Sequence, residues 1–158
     1  MTRRQLFGLL SAIGIGTPAA DAATAPTRAD AVVLSDAQWR ERLSPQAYAV
    51  LREEATERAG TSALNGEKRA GRYLCAGCAL PLFASEAKYE SGTGWPSFFQ
   101  PLPGALGTKT DFKLLLPRTE YHCARCGGHQ GHVFDDGPRP TGKRYCNNGV
   151  ALRFEPMA

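Results

Sequence analysis

Cys75-Ala76-Gly77-Cys78 and Cys123-Ala124-Arg125-Cys126 are two C-x-x-C pairs, and their reading decides the fold. Two thiolates separated by two residues can both turn toward one ion, so two such pairs supply the four ligands of a closed tetrahedral Zn²⁺ site. Gly77 in the first knuckle and Gly127-Gly128 after the second are residues that take positive φ readily, which lets backbone amides approach the sulfurs. From Cys75 to Cys123 is 48 positions, far longer than the loop of an ordinary zinc ribbon. One structural zinc per chain would therefore staple two distant hairpins of a larger domain. The competing reading is a disulfide framework, which an exported chain would favour. Five cysteines is an odd number, however, and paired C-x-x-C knuckles bind metal more often than they form disulfides.

Working outward, the segment before the first knuckle is helical and the rest is not. Ser35-Asp36 reads as a helix start with Trp39 and Leu43 on one face, and Ser44-Pro45 as a cap with proline at the first helical position. Ala47, Val50, Leu51 and Ala55 continue a helical stripe that should run on toward Gly60. From about Arg72 short apolar runs alternate with Gly and Pro: Tyr73-Leu74, Pro81-Leu82-Phe83, Phe112 to Leu116, Glu120 to His122, His132 to Phe134 and Val150 to Phe154. These predict a mainly β body, antiparallel, with short helices at its N-terminal edge.

The N-terminus carries an export pattern. Thr2-Arg3-Arg4-Gln5-Leu6-Phe7 places twin arginines before an apolar run from Leu6 to Ile15, and Ala20-Asp21-Ala22 offers an A-x-A cleavage site. Residues 1–22 are thus expected to be a twin-arginine-type export signal, 23–33 a spacer and 34–156 one domain, in a periplasmic protein. An apolar run of about ten residues is too short for a bilayer core of roughly 30 Å, so no stable membrane anchor is expected. Export of a folded chain also lets zinc load before oxidation traps the thiols. Cleavage would remove Arg3, Arg4 and Asp21, taking the net charge from +4 to +3. No lysine-arginine run or basic helix is present to track a phosphate backbone, so nucleic acid is not an expected partner. A monomer is the default.

Three further segments bear chemistry. The lone Cys146 lies in Gly142-Lys143-Arg144-Tyr145-Cys146-Asn147-Asn148-Gly149, where Arg144 and the following amides could favour the thiolate. A lone cysteine is more often an inert buried residue. Gly128-His129-Gln130-Gly131-His132-Val133-Phe134 follows the second knuckle directly, so an ion that holds Cys126 also holds the start of a segment with two imidazoles. Four thiolates already complete a tetrahedral site, which favours catalysis or substrate binding for these histidines. Ser91-Gly92-Thr93-Gly94-Trp95-Pro96-Ser97-Phe98-Phe99 places aromatics on a glycine-proline loop. Trp95 either plugs the sheet's open end or forms an apolar wall for a small alkyl or thioether group.

Together the segments resemble the B-type methionine sulfoxide reductases, which act on the R epimer. The resemblance runs from about Leu34 to Phe154. It rests on the two knuckles, Gly94-Trp95-Pro96-Ser97-Phe98, Gly128-His129 with Gly131-His132-Val133-Phe134, Asp136-Gly137-Pro138, and Pro140-Thr141-Gly142 leading into Arg144-Tyr145-Cys146. It implies two antiparallel sheets stapled by a four-cysteine zinc site (Cys75, Cys78, Cys123, Cys126), the Mss4-like or β-tent fold. It also implies that Cys146 attacks the sulfoxide sulfur and becomes a sulfenic acid, while His129, His132 and Asn148 bind and protonate the oxygen. Trp95 would hold the substrate's ε-methyl group, with Phe134 beside it, and Arg144 would keep the thiolate poised. The implied partners are oxidised proteins carrying methionine-R-sulfoxide and a thiol reductant.

The departures are specific. Many family members carry a recycling cysteine where this chain has Thr93, so the expected reductant is external, a thioredoxin-like protein or a small thiol. Asn147 and Gly149 replace residues that are commonly apolar and serine. Two other classes compete with the enzyme: a non-catalytic zinc-stabilised binding module, which has no need of the Cys146, His129, His132 and Asn148 set, and an exported disulfide-rich structural protein. The metal reading predicts one equivalent of zinc per native chain and five thiols after denaturation in chelator. The disulfide reading predicts no metal and at most the one thiol that five cysteines leave unpaired, so thiol titration with metal analysis separates the two.

Overall fold

The computed structural model describes residues 28–158. The expected export signal at 1–22 and residues 23–27 of the spacer lie outside the described residues. No helix among those described is long and apolar enough to cross a membrane.

Both predicted caps form. Ser35 caps α1 (Asp36–Arg42), its hydroxyl accepting from the Gln38 N–H while the Gln38 side chain accepts from the Ser35 N–H, a reciprocal capping box. Ser44 caps α2 (Pro45–Glu53) through the Ala47 N–H, with Pro45 where its missing N–H leaves no donor unpaired. The helix stops earlier than the stripe toward Gly60 suggests, because Glu54 takes a left-handed conformation (φ 55°). Trp39, Ala47, Tyr48, Val50 and Leu51 are the buried face of the helical pair.

Among the described residues nine strands follow: β1 (Gly71–Cys75), β2 (Pro81–Ala84), β3 (Lys88–Tyr89), β4 (Ser97–Phe98), β5 (Leu106–Asp111), β6 (Arg118–Cys123), β7 (His129–Phe134), β8 (Arg144–Asn147) and β9 (Leu152–Pro156). They form two antiparallel sheets, of order β2-β1-β9 and β3-β4-β8-β7-β6-β5. Aromatic rings fill the space between them. Phe83 of the smaller sheet stacks on Phe98 of the larger at 4.1 Å, Tyr73 meets Phe98 edge-on at 4.9 Å, and Tyr121 packs against Phe83 and Tyr145. The run Phe112 to Leu116, strand-like in composition, is not a strand. Pairing with β6 uses Leu106–Asp111 instead, and 112–117 is an exposed loop. Its consecutive leucines lack the alternation that would bury one face of a strand.

The knuckles share one backbone geometry. Cys75 N–H donates to the Leu80 carbonyl and Ala79 N–H to that of Cys75; Cys123 N–H donates to Gly128 and Gly127 N–H to Cys123. The positive φ falls on Ala79 (62°) in the first knuckle and Gly127 (69°) in the second, so Gly77 is not the residue that needs it. Ala79 bears a left-handed conformation that glycine would take without its Cβ penalty.

Candidate active site

Antiparallel register builds the site. Cys146 of β8 pairs with Ser97 of β4 on one side and His132 of β7 on the other, and His132 pairs with Glu120 of β6, which pairs with Lys109 of β5. Residues directly opposite one another share a sheet face, so Ser97, Cys146, His132, Glu120 and Lys109 make one row across the larger sheet. Above its centre lies a cavity of about 110 Å³ lined by Thr56, Trp95, Arg118, His132, Phe134, Cys146 and Asn148, among others.

Strict alternation would put His129 and His132 on opposite faces. A register shift between Tyr121 and His122 pairs His122 with His129 and leaves Gln130 as the extra residue of a bulge. Both imidazoles therefore reach the same side, with ring centroids 5.5 Å apart. Glu120 is the hub beneath them: its carboxylate meets His129 Nδ1 at 2.8 Å and His122 Nδ1 at 3.1 Å. Burial pushes the Glu120 carboxyl up, but the hydrogen bonds from His122 and His129 more than offset this and hold it at about 2. His132 instead directs Nε2 to Asp111 Oδ2 at 2.7 Å, and the same oxygen receives Arg118 at 2.7 Å. Burial lowers the His132 pKa despite Asp111, so His132 is neutral near pH 7, with Nδ1 left to accept.

Cys146 is half-buried, with its Sγ 4.0 Å from the Thr93 hydroxyl. Burial raises its pKa, and the Thr93 hydrogen bond and the Arg144 charge oppose that shift without overcoming it. The sequence suggested neighbours that favour the thiolate. In the fold Arg144 is committed to Asp136 through two 2.8 Å hydrogen bonds and lies over the Phe134 ring at 4.3 Å, outside the cavity lining.

The segment after α2 holds the far wall. Glu57 accepts the Trp95 indole N–H on its carbonyl (2.8 Å), donates its N–H to Asn148 Oδ1 (2.8 Å) and takes the Gly149 N–H on Oε2 (2.6 Å). Asn148 Nδ2 donates to the Gln130 carbonyl at 2.9 Å, which leaves one amide hydrogen uncommitted.

The four knuckle cysteines are buried, and their sulfurs lie within 4.8 Å of one another. The pairs Cys75/Cys126 and Cys78/Cys123 are 3.6 and 3.5 Å apart. A tetrahedron with metal–sulfur bonds of about 2.3 Å has edges of roughly 3.8 Å, whereas a disulfide needs about 2.05 Å. The cluster fits a divalent ion. A buried hydrogen-bond chain joins it to the cavity: Gln130 Nε2 donates to Cys75 Sγ (3.4 Å), Asn147 Nδ2 to Gln130 Oε1 (3.2 Å) and Tyr121 Oη to Asn147 Oδ1 (2.7 Å). Gly131 makes this possible, since a Cβ there would lie 1.8 Å from the Cys146 carbonyl oxygen.

Residues 43–156 match the family model described as the SelR domain. Among curated proteins, the peptide methionine sulfoxide reductase MsrB of Bradyrhizobium diazoefficiens is 53% identical over 131 residues, covering 82% of this chain and 94% of that protein. MsrB proteins of Leptospira interrogans and Agrobacterium fabrum are 50% and 52% identical, over 77% and 78% of this chain and 93% and 92% of theirs. The chain belongs to the MsrB family.

Of the site residues named from the sequence, the structure brings Trp95, His132, Phe134, Cys146 and Asn148 to one cavity. His129 is buried behind His132 on Glu120, and Arg144 flanks Phe134. Sequence reasoning missed Thr56, Glu57, Asp111, Arg118 and Glu120. No local pattern marks Glu57. Glu120 carried a weak signal as a charged residue in a strand-like run; Arg118 lay between two such runs.

Two measurements follow from this geometry. Gln130→Leu and Asn147→Leu should each destabilise the metal-loaded MsrB domain by about 1–3 kcal/mol in urea unfolding, because each orphans a buried amide. The double variant should cost about 1 kcal/mol less than their sum. Alkylation of Cys146 by iodoacetamide should rise about tenfold per pH unit from pH 7 and still be rising at pH 9, since only the thiolate reacts and its pKa is raised.

Proposed function

We propose that this MsrB-family protein reduces methionine-R-sulfoxide in oxidised proteins to methionine, with Cys146 as nucleophile. One observation carries the reading: strand register sets Cys146 directly across from His132 inside a cavity walled by Trp95 and Phe134. The sulfoxide's methyl group rests against these aromatic faces, and its oxygen points toward His132 and the uncommitted amide hydrogen of Asn148. A fixed methyl pocket on one side and polar groups on the other discriminate between epimers at sulfur.

The Cys146 sulfur attacks the sulfoxide sulfur. The thiol proton reaches the oxygen through His132, whose Nδ1, left free by the Nε2 contact to Asp111, accepts and returns it. The protonated oxygen then passes as hydroxyl from the substrate sulfur to the Cys146 sulfur: the sulfur–sulfur bond formed on attack and the substrate's sulfur–oxygen bond both break, methionine leaves with the electron pair, and Cys146 becomes a sulfenic acid. His129, behind His132, acts through the orientation of its neighbour or through a water. Arg144 opposes the burial shift of the thiol. Asp111 keeps the His132 ring oriented.

Regeneration is by an external thiol. Position 93, whose hydroxyl is 4.0 Å from Cys146, is threonine, and the remaining four cysteines form the buried cluster. A reductant thiol displaces water from the sulfenic acid to give a mixed disulfide, and a second thiol releases Cys146.

Zn²⁺ is the ion that best suits four buried thiolates, and when bound it supplies structural cross-linking and no step of the reaction. Cys75, Cys78, Cys123 and Cys126 would hold it. Export by the twin-arginine route to the periplasm is proposed from Arg3-Arg4, the apolar run to Ile15 and Ala20-Asp21-Ala22.

The test is single turnover without reductant, using each epimer of a methionine sulfoxide peptide with wild type and Cys146→Ser. About one equivalent of methionine from the R epimer alone, abolished in the variant, is expected. No product from either epimer, with metal bound and Cys146 reduced, would point to a binding module.

A further inference from the structure

Four of the six large apolar side chains exposed among the described residues fall in one loop: Phe112 is 74% exposed, Leu114 59%, Leu115 103% and Leu116 78%. Contiguous apolar exposure on this scale marks an interaction surface more often than an accident of sequence. The loop is held out from its base. Lys113 N–H donates to Asp111 Oδ1 at 2.8 Å, Lys113 Nζ pairs with Glu54 at 2.6 Å, and Arg118 with Asp111 at 2.7 Å.

Leu114, Leu115 and Leu116 form one side of a groove of about 750 Å³, and Val133 and Phe134 line it as well. Arg118 and Phe134 also line the Cys146 cavity, so the groove adjoins it. Their sizes divide the work. A cavity of about 110 Å³ is well below the span of ordinary ligand pockets and takes a side-chain tip, whereas about 750 Å³ accommodates several side chains.

We propose that this groove docks the apolar residues flanking an oxidised methionine in a polypeptide, so that the protein selects apolar-flanked sulfoxides over polar-flanked ones. The proposal rests on the reading that Cys146 reduces a sulfoxide. Oxidation makes a core methionine polar and loosens its packing, which exposes apolar sequence neighbours along with the sulfoxide. A lipid surface fits less well. The cations at the loop, Lys113 and Arg118, are committed to Glu54 and Asp111, and Asp135 in the groove's lining is itself paired with Lys143, so none of these groups offers positive charge to an anionic headgroup.

The experiment compares the full-length wild type with Leu114→Ser/Leu115→Ser/Leu116→Ser, a variant confined to exposed side chains. Substrates are a leucine- and valine-flanked methionine-R-sulfoxide peptide, the same peptide with serine and glycine flanks, and N-acetylmethionine-R-sulfoxide. The expected result is a KM about tenfold higher for the apolar peptide alone, about the size of burying one leucine, with kcat unchanged and the other substrates within twofold. Equal KM values on the apolar peptide, or an equal loss on all three substrates, would overturn the proposal. Fluorescence anisotropy of the labelled apolar peptide reads docking without turnover: about tenfold weaker binding by the triple variant is expected, and equal binding overturns the proposal even in an inactive protein. Wild-type inactivity on all three substrates would count against the reductase reading alone. Loss of self-association in sedimentation, or of binding to phosphatidylglycerol vesicles, with peptide affinity unchanged, would assign the loop to a second copy or to lipid and overturn the proposal.

Discussion

The meeting of Cys75, Cys78, Cys123 and Cys126 within 4.8 Å is the constraint on which the rest of the structure depends. Cys75 ends a strand of the smaller sheet and Cys123 ends a strand of the larger, so four sulfurs at one point fix the two sheets' separation and angle. The shared aromatic layer of Tyr73, Phe83, Phe98 and Tyr121 then packs in one arrangement. Helix α2 is drawn into the same joint: Leu51 lies against Gly128, and Arg52 donates to the Cys126 carbonyl at 3.0 Å. A chain that leaves α2 there must pass over the face of β7 and β8, which is how Glu57 comes to clamp Trp95 and Asn148.

The same joint reaches Cys146 through polar contacts buried in the core. Gln130, Asn147 and Tyr121 are fully buried, and each finds its partner only because the other two are in place. Such a network is stabilising when complete and costly when broken, which ties the position of β8 to the integrity of the cluster. Beside it, Cys146 is held mostly as a thiol, since burial outweighs the pull of Arg144 and Thr93. The Arg144 charge is already balanced by Asp136, so its field at Cys146 is weaker than sequence proximity suggests.

Local rules carried far where the deciding interaction is local. The caps at Ser35 and Ser44 and the knuckle spacing each depend on atoms within five residues. They failed where the deciding partner is distant. Phe112 to Leu116 has strand composition, yet β6 pairs with the six residues before it, and the ion pairs of Lys113 and Arg118 hold the loop outward. Positive φ at Ala79 rather than Gly77 follows from closing the knuckle's two hydrogen bonds, which count residues from Cys75 and take no account of where glycine sits.

By itself the sequence determined the chemical inventory: two thiol pairs spaced as ligands, a solitary thiol, two imidazoles after the second knuckle, an aromatic loop and two capped helices before a β body. Spacing and residue type suffice for these, because they are properties of short segments. Only the tertiary structure decided which of them meet. The bulge at Gln130 turned His129 and His132 to one face, sheet register set Cys146 opposite His132, and burial rather than the neighbouring arginine decided the protonation of the thiol. Register and burial are set by residues far apart in the chain, and no segment carries that information alone.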